Sequence, residues 1–131
     1  MSITYEVDHK AERVRVVATG DVRIEDLVAL LSELAEARCL AFQQLFDARR
    51  GTLVLSAEEI RRLVSLTARL REEHGHARTA FVAESDVTFG LARMYATLAA
   101  DTDGGFMVYR TMDDGAAWLG WQTATADQPI R

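Results

Sequence analysis

The stretch "FDARRGTLVLSAEEI", Phe46 to Ile60, holds the residues of this chain with the plainest chemical potential. Arg49 and Arg50 are two permanently charged guanidiniums, each able to grip an oxyanion through a fork of N–H groups, so the pair suits a phosphate or a carboxylate. Thr52 adds a hydroxyl beside them. The competing reading is a pair of solvated arginines bridged to Glu58 or Glu59. Asp47 suits a metal ligand or a base only with a second carboxylate nearby, and the sequence predicts none; a turn-forming or Arg-pairing aspartate is the simpler role. Leu53 and Val54 follow, apolar and without a structural task, so they are expected to meet a partner surface.

Other reactive residue types are isolated. His74 and His76 sit in "EEHGHAR", which reads as a helix end with a C-terminal glycine and lacks further Cys, His or Asp at metal-ligand spacing. Cys39 has no activating histidine or helix start and suits a small buried thiol. "DTDGG" has too few acidic positions for a calcium loop. There is no nucleophile elbow, phosphate loop or dinucleotide fingerprint. The expectation is a protein without catalytic residues, metal or cofactor, because acid–base or nucleophilic work needs a convergent cluster.

Composition narrows the partners. The 131 residues carry a net charge of −5, with 49% hydrophobic and 27% charged residues and one proline. That length and balance suit a single folded domain. Arginines alternating with Glu and Asp along helices leave no basic stripe for nucleic acid. No apolar run approaches the ~20 residues of a membrane span, and no signal-peptide pattern precedes Ile3, so a soluble, cytoplasmic protein without membrane insertion is expected.

The elements that must position these residues follow from periodicity. "ITYEVDHKAERVRVVATG" reads as a hairpin turning at "DHKAE", with Val14, Val16 and Ala18 on one face. "RIEDLVALLSELAEA" shifts to helical spacing through Ile24, Leu27, Leu31 and Leu34. Ala41 to Phe46 reads as a buried strand containing two glutamines, followed by a loop from Asp47 to Ser56. Ser56 and Glu59 form a capping box, with Leu55 and Ile60 at staple positions, and the helix continues through Leu63, Val64, Thr67 and Leu70. "RTAFVAES" predicts a strand, "DVTFGLARMYATLAA" a helix, "GGFMVYR" a strand and "MDDGAAWLGW" a short helix. In the third helix, Val87, Leu91, Met94, Tyr95 and Leu98 form one apolar stripe, while Phe89, Ala96 and Ala100, joined by Arg93, lie opposite. Such a helix is buried on both sides or covered by a partner. The domain spans 1–122, with 123–131 as a frayed tail.

The order β-β-α-β-α-β-α-β-α argues for an α/β layer structure with a mostly parallel sheet and an antiparallel first strand at one edge. With "GDVRIEDLVALL", "LFDARRG", "FGLARMY" and "AAWLGW" in their places, the chain resembles the bacterial STAS-like (SpoIIAA-like) domains related to anti-anti-sigma factors, over about residues 3–121. The resemblance implies a non-catalytic regulatory domain that binds a protein partner or a second copy of itself as a homodimer. In that family the loop after the second parallel strand carries a phosphorylatable serine in an Asp-Ser-Ser/Thr-Gly pattern. Here the matching residues are Asp47-Ala48-Arg49-Arg50-Gly51, so the hydroxyl is missing, although Thr52 and Ser56 are close. A more distant resemblance to SEC14-type lipid-binding domains implies the alternative, a carrier or sensor of a small anionic or lipid-like molecule. Arg49, Arg50 and Arg93 would then hold the head group, and Leu53, Val54 and Phe89 the apolar part. An enzyme of unknown reaction is the second alternative. Interaction through Leu53, Val54 and Phe89 is the reading carried forward.

Overall fold

The computed structural model describes residues 2–103 and 105–121, so the expected tail at 123–131 lies outside the described residues. Five strands, β1 (Ile3–Asp8), β2 (Arg13–Val22), β3 (Gln43–Leu53), β4 (Thr79–Val82) and β5 (Phe106–Tyr109), form one sheet in the order β1-β2-β3-β4-β5. Only the β1–β2 pair is antiparallel. The helices are α1 (Ile24–Glu36), α2 (Ala57–His74), α3 (Asp86–Leu98) and α4 (Met112–Leu119).

Each parallel strand is added on the same side of the last, and crossovers of one hand therefore place α1, α2 and α3 on one face of the sheet. The main core lies there: Val14, Val16, Ala18, Phe46 and Phe81 pack against Leu30, Leu34 and Ala92. On the opposite face α4 covers Leu45, Ala80 and Val82 with Met112, Ala116 and Leu119. Gly115 permits this close approach, since a Cβ there would lie 3.1 Å from Val82 Cγ2. The part of that face formed by β1 and β2 is polar, with Glu6 opposite Arg15 and Asp8 opposite Arg13, the opposite-charge arrangement that favours a cross-strand pair.

Two glutamines in a buried strand have separate tasks, because alternate residues face opposite sides. Gln43 faces α4, donating to the Leu119 carbonyl and accepting from the Trp121 indole at 2.9 Å. Arg13 lies over the same indole, 4.8 Å from its centre, and fastens the end of α4 to the sheet. Gln44 faces the helical layer and is 4% exposed.

The third strand corrects the sequence reading. It begins at Gln43 instead of Ala41 and runs through both arginines to Leu53, so most of the expected loop is strand and only Val54 to Ser56 connect it to α2. The reason is its partner. β2 is long, and Thr19 to Val22 pair with Arg50 to Leu53 beyond the point where β4 ends. Gly51 makes the pairing close, since a Cβ there would sit 3.2 Å from both the Cβ and the carbonyl oxygen of Ala18.

Candidate functional site

Between the pairs Val17–Asp47 and Thr19–Arg50 the register shifts, leaving one extra residue on β3. A bulge frees backbone groups from the ladder, and here the Asp47 side chain serves one of them: Oδ1 accepts from the Arg49 amide at 3.1 Å. The same carboxylate receives the Arg49 guanidinium in a fork, Nε to Oδ1 and Nη2 to Oδ2, both at 2.9 Å. Burial alone would raise the Asp47 pKa, but the Arg49 hydrogen bonds and the positive charges of Arg49 and Arg15 outweigh it and hold the carboxyl below its usual range. Asp47 is thus the Arg-pairing aspartate, and the partner of Arg49 is Asp47 where Glu58 or Glu59 was expected.

Strand alternation decides the neighbouring positions. Arg50 and Thr52 point outward and are exposed, beside Thr19 and Asp21 on β2, whereas Gly51 and Leu53 point inward. Leu53 was expected on an interaction surface. It is buried in the chain's own core, because β3 continues and its alternation turns that side chain toward the helices. Val54, one residue further, is part-exposed.

The third helix also turns differently from its expected stripes. Thr88, Ala92 and Ala99 are buried, while Val87 is 65% and Leu98 46% exposed. Two polar tasks set this rotation. Thr88 Oγ1, fully buried, accepts from the Leu53 amide at 3.2 Å, and Tyr95 reaches a buried carboxylate at Asp103. The Leu53–Thr88 bond ties the end of β3 to the first turn of α3, at the edge beyond the carboxyl ends of the parallel strands; Val54 and Val87 adjoin the two bonded residues, and Phe89 projects from another side of the helix. Ligands and partners gather at such an edge in open α/β sheets. The Phe89 ring is part-buried and stacked under Arg110, whose guanidinium carbon is 4.0 Å from the ring centre; Arg93 is more distant at 5.9 Å. Arg110 in turn bridges Asp86 at 2.9 Å and donates to the Glu84 carbonyl, which fixes the loop before α3. Arg93 therefore stands with Phe89, and Arg49 is engaged by Asp47.

A second polar group escaped the sequence reading. Arg71 and Asp103, each 4% exposed, form an ion pair at 3.3 Å. Arg71 also donates to the Leu40 and Gly75 carbonyls. Tyr95 donates to Asp103 at 2.8 Å and shares a 2.7 Å bond with Thr67. Burial, with the Asp103 charge adding to it, pushes the Tyr95 phenol far above its ordinary range, so the hydroxyl stays a proton donor. The available signal was spacing: Ile60, Leu63, Thr67 and Arg71 recur at helical intervals, which puts Arg71 on the buried stripe. Its partner, 32 residues further along the chain, was not legible. Cys39 is fully buried, and burial raises its thiol pKa, as suits an inert side chain.

This five-stranded, mostly parallel sheet with three helices on one face and a fourth on the other defines an α/β domain of SpoIIAA-like fold. No protein-family model matches the sequence, and no curated protein matches it. Solved structures do. An uncharacterised protein of the DUF3478 family with a SpoIIAA-like fold, from Shewanella loihica PV-4, is similar with a TM-score of 0.59 and 18% identity, over 90% of this chain and 94% of that one. The anti-sigma factor antagonist SpoIIAA in its unphosphorylated form is similar with a TM-score of 0.56 and 13% identity, over 91% of this chain and 99% of that one. At these identities the likeness establishes the fold, as the sequence resemblance implied.

Proposed function

We propose that this chain is a non-catalytic regulatory interaction domain that works as a homodimer, docking through the edge formed by Val54, Val87 and Phe89. The observation that carries the reading is the Leu53–Thr88 hydrogen bond, which brings the end of β3 and the first turn of α3 together, beside a Val87 that is branched, apolar and 65% exposed. Arg50 and Thr52 lie on the exposed side of the adjoining strand and serve as polar rim contacts. Support by analogy comes from SpoIIAA, an anti-sigma factor antagonist of the same fold. Its name describes an action on another protein, and fold alone does not transfer it. Hydrogen–deuterium exchange at low and high protein concentration tests the docking edge. The amides of 52–55 and 86–90 slow at high concentration; unchanged exchange there refutes the assignment.

A further inference from the structure

Beneath α2, between the helical layer and the sheet, lies a half-open chamber of about 90 Å³. Its walls are largely apolar, including Leu30, Phe46, Leu63, Phe81, Ala92 and Phe106, and part-exposed Leu31, Leu55 and Leu91 show where it nears the surface. Its polar lining falls into two sets. Thr67, Tyr95, Asp103 and Arg71 are bonded to one another, so the cation of Arg71 is already balanced by the carboxylate of Asp103. Gln44 differs: its side chain is 96% buried by the complement of its 4% exposure, and its Nε2 has no hydrogen-bond acceptor among the described residues. It stands opposite Thr79 in the β3–β4 register, so an amide and a hydroxyl lie side by side on the chamber floor.

A buried amide donor without an acceptor costs about 1–3 kcal/mol, and a sequence that only needed to fill this position would carry leucine. With Thr67, Tyr95, Asp103 and Arg71 bonded to one another, the groups that the chamber floor presents to an occupant are the Gln44 amide and the Thr79 hydroxyl. An apolar cavity of ~150 Å³ takes the six heavy atoms of benzene, so a chamber of about 90 Å³ suits a molecule of roughly three or four heavy atoms. An anion would lie against the Asp103 carboxylate, and a cation against Arg71. From this geometry we infer that the chamber is a binding site for a small uncharged, mostly apolar molecule bearing one carbonyl-type acceptor, which receives the Gln44 Nε2–H bond. This site is separate from the docking edge and from the head-group site at Arg49, Arg50 and Arg93 that the distant SEC14-type resemblance implies.

The test uses acetone and its acceptor-free isostere isobutene, titrated into wild-type chain and Gln44→Met while amide and methyl NMR shifts are followed. Both proteins should bind saturably, with shifts at residues lining the chamber. The ratio of the two dissociation constants should move by roughly threefold to tenfold toward the hydrocarbon in Gln44→Met, the factor that one net hydrogen bond supplies. The ratio cancels any general change in the chamber caused by the substitution. Wild-type chain that binds neither compound saturably overturns the inference, as does a ratio that is equal in both proteins. If Gln44→Met does not fold, the side-chain amide resonances of Gln44 in wild type replace the variant: they must shift downfield with acetone and not with isobutene, and equal shifts overturn the site.

Discussion

Replacing Arg71 by methionine perturbs the most committed polar group in the domain. Arg71 is buried with Asp103 at 3.3 Å and supplies the Leu40 and Gly75 carbonyls as well. Its removal leaves a carboxylate in the core with the Tyr95 hydroxyl, at 2.8 Å, as its side-chain donor among the described residues. Breaking a buried pair from one side costs about 3–5 kcal/mol, a large part of the ~5–15 kcal/mol that holds a domain together. For a chain of this size each kcal/mol lowers the melting temperature by about 3–5 °C, so a fall of roughly 10–20 °C is expected. Urea unfolding of wild type, Arg71→Met, Asp103→Leu and the double variant measures the coupling. Removing both charges spares the desolvation of an orphan, so the double variant should recover most of the loss. If Arg71→Met loses less than about 1 kcal/mol, or if the two substitutions are simply additive, the network does not stabilise the domain as argued.

Arg49→Ala should cost about 1–2 kcal/mol at neutral pH, a figure reduced because the guanidinium is part-exposed. Since the folded state holds the Asp47 pKa below its usual value, this contribution is present above about pH 4 and lost as pH falls through the lowered pKa, so wild type and variant converge in melting temperature on acidification; a gap that is constant with pH contradicts the pairing. Arg50→Ala should leave the melting temperature within about 2 °C of wild type and weaken self-association, and sedimentation indistinguishable from wild type removes Arg50 from the interface. Ser56→Ala deletes the cap hydroxyl that accepts from Glu59 N at 3.1 Å and should cost about 1 kcal/mol in urea unfolding; no loss means that the cap is idle.

Periodicity exposed the layers of this fold because helices and strands have different repeats, and the capping box at Ser56 fixed the start of α2 without tertiary information. The strand through Arg49 and Arg50 was hidden by local chemistry. Two arginines and a glycine read as loop, whereas their placement is decided by Thr19 to Val22, thirty residues earlier, and by a Gly51 that packs on Ala18. Leu53 was misplaced for the same reason, since one extra stretch of strand turns a side chain from solvent to core. Val87 was placed on an apolar stripe with Leu91 and Tyr95 that is buried or covered by a partner; its exposure was not legible because nothing in the helix itself announces that Thr88 serves the amide of Leu53. Gln44 looked merely out of place in a buried strand; only the assembled helical layer shows what it faces.

The homodimer is tested most directly by sedimentation equilibrium of the native chain alongside Val87→Glu. Val87 is the better probe than Phe89, which packs against the core and under Arg110, so that a charge there would also disturb folding. A carboxylate buried without a partner costs several kcal/mol, which would shift a micromolar dimer to a monomer. The native chain should sediment as a dimer at tens of micromolar, and Val87→Glu as a folded monomer with an unchanged circular dichroism spectrum. A native chain that is monomeric under those conditions, or a Val87→Glu variant that remains dimeric, contradicts the account.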